Sequence, residues 1–241
     1  MTILELQNVT GGYTRKPVIE NLSFTIGKGE LVGLIGLNGA GKSTTIKHII
    51  GTLIPREGEI RLNGIALGEN MEAYRAQFSY IPETPVLYEE LTLKEHLEMT
   101  AMAYGLEESE WEKRAELLLK EFRMERRLNW FPSHFSKGMR QKVMIMCAFL
   151  VNPSLYIIDE PFVGLDPKAA HTLKEMMRAH CDGGGAIFFS THVLEVAEKL
   201  CDKVAIIRAG KLIKDGTMDE VKGDDSLEEV FLELVDTEGA Q

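Results

Sequence analysis

The chain lacks a long hydrophobic run. Its longest uninterrupted apolar stretch, Val143 to Val151, has nine residues, about half of the roughly 20 that a membrane-spanning helix requires. Any membrane role is therefore expected to come through a partner. Cysteine is scarce and unpatterned: Cys147, Cys181 and Cys201 are the only three. None has CxxC or metal-ligand spacing, so a metal or disulfide framework is not expected, and the reading is of small buried hydrophobes in a reducing compartment. Basic charge is also short, with 27 Lys and Arg against 37 Asp and Glu for a net charge of −10. That balance argues against a general nucleic-acid coat, and no nucleic-acid partner is expected. The first residues, MTILELQNV, alternate like a strand and lack the layout of a signal peptide, so the chain is expected in the cytoplasm.

What is present belongs to a globular protein. The chain has 241 residues, 44% hydrophobic and 27% charged, enough for one large domain with an inserted lobe. LELQNV and IENLSFTI alternate with period 2, and KGELVGLIG is the near-continuous apolar run of a buried strand. REGEIRLNG predicts a short hairpin bounded by glycines. From about Glu89 to Val151 the texture is helical. LTLKEHLEMTAMAYGL places Leu93, Leu97, Ala101 and Tyr104 on one face, with Thr92 and Glu95 as a capping box. WEKRAELLLKEFRM is a second amphipathic helix. Strand and helix then alternate: LYIID, a helix to about His180, AIFFST, a helix through EVAEKL, then VAIIRAG and KLIKDG. Such alternation implies a mostly parallel sheet interrupted by an all-helical insertion.

The first motif that carries chemistry is Gly36-Leu37-Asn38-Gly39-Ala40-Gly41-Lys42-Ser43, followed by Thr44. It satisfies G-x-x-x-x-G-K-[ST] between a strand and a helix, the setting of a phosphate-binding loop. Glycines let successive N–H groups converge on phosphate oxygens, and the following helix adds its positive end. Lys42 is expected to pair with the β- and γ-phosphates of ATP and Ser43 to ligand Mg2+. The second motif, Leu155-Tyr156-Ile157-Ile158-Asp159-Glu160, is a buried strand that ends in two carboxylates, 117 residues after Lys42. Neighbouring strand residues point to opposite sides, so the two acids can divide the work. Asp159 would hold Mg2+ and Glu160 would orient or deprotonate the attacking water.

With these residues assembled, the chain resembles the nucleotide-binding domain of an ATP-binding cassette (ABC) transporter along nearly its whole length. The resemblance implies a fold: an α/β P-loop NTPase (RecA-like) core with an N-terminal antiparallel β subdomain and an inserted α-helical subdomain. The core and β subdomain would span 1–82 and 152–225, the helical subdomain 83–151, and a C-terminal helix and tail 226–241. It implies further site residues too. Tyr13 matches the aromatic that stacks on adenine, with an ordinary strand-edge tyrosine as the competing reading. His192, in FFSTH, matches the histidine that contacts the γ-phosphate. Asp166, in Gly164-Leu165-Asp166, matches the loop that couples two sites across a dimer. Phe135-Ser136-Lys137-Gly138-Met139 matches the signature motif, in which Ser136 and the Gly138 amide would contact ATP held by a second copy, with 23 residues from Ser136 to Asp159.

Two departures narrow the resemblance. The family's usual Leu-Ser-Gly-Gly-Gln signature here keeps only the serine and the second glycine. The position that usually carries a Mg2+-touching glutamine is Glu83. Both, with the C-terminal helix SLEEVFLELV, are similar to an ABC-2-like subgroup of exporter ATPases. The implied function is an ATP-hydrolysing subunit that powers a transporter, with exporter the favoured direction. Its partners would be transmembrane permease subunits and a second ATPase subunit sandwiching two ATP molecules, and its place the inner face of the membrane. The alternative is a soluble ABC ATPase not coupled to transport. Against it, the long coiled-coil insert of DNA-repair members and the second cassette of translation factors are both missing.

Overall fold

The computed structural model describes residues 1–236. The chain opens with β1 (Thr2–Gly11), β2 (Ile19–Gly27) and β3 (Leu31–Ile35), followed by helix α1 (Lys42–Ile49). Next come β4 (Glu57–Leu62), β5 (Ile65–Ala66), α2 (Met71–Arg75) and β6 (Phe78–Ile81). Helices α3 (Leu93–Ala103), α4 (Glu108–Phe122) and α5 (Lys137–Leu150) follow with no strand between them. Alternation resumes with β7 (Leu155–Asp159), α6 (Pro167–Asp182), β8 (Ala186–Thr191), α7 (Leu194–Leu200), β9 (Lys203–Arg208) and β10 (Lys211–Thr217). The described residues end in α8 (Met218–Lys222) and α9 (Leu227–Asp236). The expected tail after α9, residues 237–241, lies outside the described residues. Among the described residues no helix is long and apolar enough to cross a membrane.

Among the described residues, the strands form an antiparallel sheet in the order β2-β1-β4-β5 and a larger sheet in the order β10-β9-β3-β8-β7-β6. In the larger sheet β9, β3, β8, β7 and β6 pair in parallel, and only the edge strand β10 is antiparallel. Period-2 geometry divides its side chains between two cores. Leu31, Ile35, Tyr156, Ile158, Ile187 and Phe189 pack on the side of α3, α5 and α6. Val32, Leu34, Leu155, Ile157, Ala186 and Phe188 pack toward α1 and the antiparallel sheet. Burial on both faces is why these strands read as continuous apolar runs. Each large side chain so buried contributes about 1.5–3 kcal/mol.

The helical stretch is the crossover between β6 and β7, which are neighbouring parallel strands. Its first helix starts as the sequence predicts: Thr92 Oγ1 accepts the Glu95 N–H at 3.3 Å and Glu95 Oε2 accepts the Thr92 N–H at 2.7 Å. Leu93, Leu97 and Ala101 are buried. Tyr104 departs from the predicted face. It is the residue after the last turn, and its hydroxyl instead donates to the Phe78 carbonyl at 3.2 Å. Neither α2 nor β6 is legible in the sequence pattern. Both are too short, five and four residues, to establish a period.

Candidate active site

The C-terminal ends of β3, β7 and β8 lie side by side, and each carries one loop of the site. Ligands bind at this edge of a parallel α/β sheet. After β3 the chain turns sharply beneath the sheet edge. A Cβ on Gly36 would fall 2.4 Å from the Ile207 carbonyl oxygen, so no side chain fits. Gly41, at φ 114, takes a left-handed conformation immediately before α1. No side chain caps α1, and no acid lies in its first turn. The first-turn N–H groups are thus left for an anion, where the helix dipole favours negative charge. Lys42 is only 7% exposed. Its ammonium donates to the carbonyls of Gly36 at 2.8 Å and Leu37 at 3.3 Å.

The two acids after β7 are held differently. Asp159 is the last strand residue, paired in register with Ser190 of β8. Ser190 Oγ donates to Asp159 Oδ1 at 2.5 Å. Glu160 leaves the strand at φ 49, in the left-handed region that a glutamate rarely adopts. The Ser190 hydroxyl also receives the Glu160 N–H at 3.2 Å, supporting that turn. Glu160 Oε1 accepts from His192 Nδ1 at 2.8 Å and lies 3.8 Å from Lys42 Nζ. Asn38, Gly39, Gly41, Lys42, Ser43 and Thr44 line one cleft of about 410 Å³ together with Val18, Glu83, Glu160 and His192. Ala40 does not line that cleft and borders a smaller cavity beside Phe231 of α9.

Tyr13 stands at the edge of this region, 56% exposed. Lys47 of α1 donates to its hydroxyl at 3.0 Å and places its ammonium 5.1 Å from the ring centre. Partial burial pushes the phenol up, but hydrogen bonds with Lys47 and Thr44 together bring it below its ordinary value.

The remaining predicted residues are elsewhere on the surface. Ser136 caps α5, accepting the Met139 N–H at 3.3 Å. Asp166 caps α6, accepting the Ala169 N–H at 2.9 Å, and pairs with Lys142 of α5 at 2.6 Å. The Lys142 bond is the main reason its carboxyl sits below the usual range. Gly138 and Gly164 touch so closely that a Cβ on Gly138 would lie 2.6 Å from the Gly164 oxygen. None of Ser136, Gly138 or Asp166 lines the Lys42 cleft of its own chain.

Comparison with known proteins gives this arrangement its family. A family model described as ABC transporter matches residues 19–163. The chain belongs to the ABC transporter family. It is 58% identical over 239 residues to the ABC-type transporter ATP-binding protein EcsA of Bacillus subtilis (strain 168), covering 97% of each chain. A solved ATP-binding subunit of an ABC transporter superposes with a TM-score of 0.94 at 56% identity, over 97% of this chain and 99% of that one. A dimeric ATP-binding cassette in a post-hydrolysis state, bound to ADP and Pi, superposes with a TM-score of 0.81 at 25% identity, over 90% and 99%. The chain is an ATP-binding, ATP-hydrolysing subunit of an ABC transporter.

Two side chains that no sequence motif singles out shape the site of this ABC ATPase. Ser190 braces both Asp159 and the Glu160 amide. Its signal was available, since it is the first polar residue after an apolar strand run, two residues before His192. Lys47 left none, because an exposed lysine on a helix has many ordinary uses. For a metal, the candidates Ser43, Glu83 and Asp159 offer oxygen only. Among the described residues no three His, Cys, Asp or Glu form a ready-made metal cluster. A sparse oxygen set of one or two carboxylates fits Mg2+, which keeps water and substrate phosphates as its other ligands.

Proposed function

We propose that the chain powers export through a membrane permease, by ATP-driven closure of a head-to-tail pair of ATPase subunits. The observation that carries this reading is the convergence of Lys42, Glu160 and His192 on one cleft beside an uncapped helix start. Phosphate oxygens would exchange for the neutral Gly36 and Leu37 carbonyls that hold Lys42. Glu160, bridged to His192, would accept a proton from the attacking water. Ser43, Glu83 and Asp159 would hold Mg2+, which supplies charge neutralisation at the phosphates when bound. Tyr13 would stack on adenine.

Ser136, Gly138 and Asp166 stand outside their own chain's cleft, which supports a role toward a second protomer's nucleotide. In that pairing each ATP touches both subunits, so binding favours the closed state and loss of phosphate lets it open. The loop between β6 and α3 exposes Val86 and Tyr88, apolar side chains suited to receive a permease segment on the inner membrane face. Export is favoured by the departures at Glu83, Lys137 and Met139.

Glu160→Gln tests the reading. It is expected to bind ATP, accumulate an ATP-dependent dimer in sedimentation, and lose about 10²–10⁴ in turnover. Undiminished hydrolysis would remove Glu160 from its role, and a strictly monomeric protein with bound ATP would remove the pair.

A further inference from the structure

One loop touches both functional ends of the molecule. The segment between β6 and α3 carries Glu83 near its start, and Glu83 lines the Lys42 cleft. It continues to Glu89, whose two carboxylate oxygens accept from Arg140 Nη1 at 2.7 Å and Nη2 at 3.2 Å. Arg140 is in the first turn of α5, four residues after the capping Ser136. Paired contacts of this planar kind fix orientation as well as distance, which a single lysine contact cannot do.

The loop is not free to drift away from the pair. Buried His96 accepts the Tyr88 N–H on Nε2 at 3.0 Å, and its Nδ1 therefore carries the proton, donating to the Thr92 carbonyl at 2.8 Å. The opposite side of α5 is fastened too, by Lys142 to Asp166 at 2.6 Å. The start of α5 is thus clamped between the loop that carries Glu83 and the loop that carries Asp166.

We propose that the Arg140–Glu89 pair is a positioning contact for the ATPase, holding the Ser136–Gly138 turn in register with the β6–α3 loop. Movement of that loop then changes how the turn is presented to a second protomer. The proposal rests on the reading that this turn meets a partner's nucleotide. A closed pair contains two such contacts, so the effect of breaking them is squared in the dimerisation constant.

The test uses the full chain in a Glu160→Gln background, with ATP as the probe and dimer formation read by sedimentation. Arg140→Glu and Glu89→Arg are each expected to weaken ATP-driven dimerisation by about two- to thirtyfold, the square of what one exposed ion pair gives. Affinity for ATP at protein concentrations below dimerisation is expected to stay unchanged, as is the far-UV spectrum. The double variant Arg140→Glu with Glu89→Arg is expected to restore dimerisation, and Arg140→Gln to behave like the single reversals. Reversals that dimerise like the background protein, or a double variant no better than the singles, would overturn the positioning contact alone. A background protein that binds ATP and stays monomeric would overturn the two-protomer reading as well.

Discussion

His192 and Glu160 share a hydrogen bond, imidazole Nδ1 to carboxylate Oε1 at 2.8 Å. The same oxygen faces the Lys42 ammonium at 3.8 Å. Glu160 is almost fully enclosed, whereas the His192 side chain is half exposed. The histidine can therefore meet a nucleotide from the solvent side while it holds the acid from behind. His192→Ala is expected to reduce turnover by about 10²–10³, the range for removing one preorganised group that faces developing charge. Equilibrium ATP binding should change far less. A loss confined to ATP affinity would show that His192 only binds.

Tyr13 is held by Lys47 rather than by packing. Tyr13→Ala is expected to lose about 1–3 kcal/mol of nucleotide affinity, the value of one base stacked on an aromatic ring. Tyr13→Trp should keep it. Calorimetric titration with ATP separates the stacking role from that of a strand-edge tyrosine, for which Ala would bind as tightly as the parent.

Two histidines should make the fold acid-sensitive. Burial is the main cause that pushes both His48 and His180 below the ordinary histidine value. Among the described residues, each also has its Nε2 buried without a hydrogen-bond partner. The unfolded chain therefore takes up protons before the folded one does. Their contribution is constant above the unfolded value of about 6.5 and shrinks as pH falls below it. Urea unfolding between pH 8 and pH 5 should show stability falling in that window, with a shallower fall in His48→Gln or His180→Gln. The depressed carboxylates, such as Asp166 beside Lys142, lose their contribution only at lower pH.

Gly33 in the centre of β3 leaves room for a sulfur. A Cβ there would lie 2.7 Å from Cys201 Sγ, in a fully packed strand. Gly33→Ala is expected to destabilise the protein by about 1–3 kcal/mol through overpacking. Adding Cys201→Ala should recover part of that loss in denaturant unfolding. Strictly additive effects of the two substitutions would show that the sulfur is not the obstacle.

Local features were legible because their causes are local. The phosphate loop needs glycines, a lysine and a helix start within nine residues, Gly36 to Thr44. The Thr92–Glu95 box closes within one turn. Strands buried on both faces announce themselves as apolar runs ending in Asp159 or Thr191. Short elements such as α2 and β6 carried too few residues to show a period, and Tyr104 continued a helical spacing past the point where the helix stops.

By itself the sequence determined which groups could do the chemistry, since residue type and near-neighbour spacing set what can bind phosphate or accept a proton. Only the tertiary structure decided which of them meet. The sheet order β3-β8-β7-β6 is not the chain order, so parallel pairing sets Asp159 beside Ser190 and carries His192 to Glu160 across 32 residues. The same folding turns Ser136, Gly138 and Asp166 away from their own Lys42 and fastens Arg140 to Glu89 across 51 residues. Spacing along the chain has no bearing on such distances, because they are set by how strands are stacked and how α5 lies across the loops.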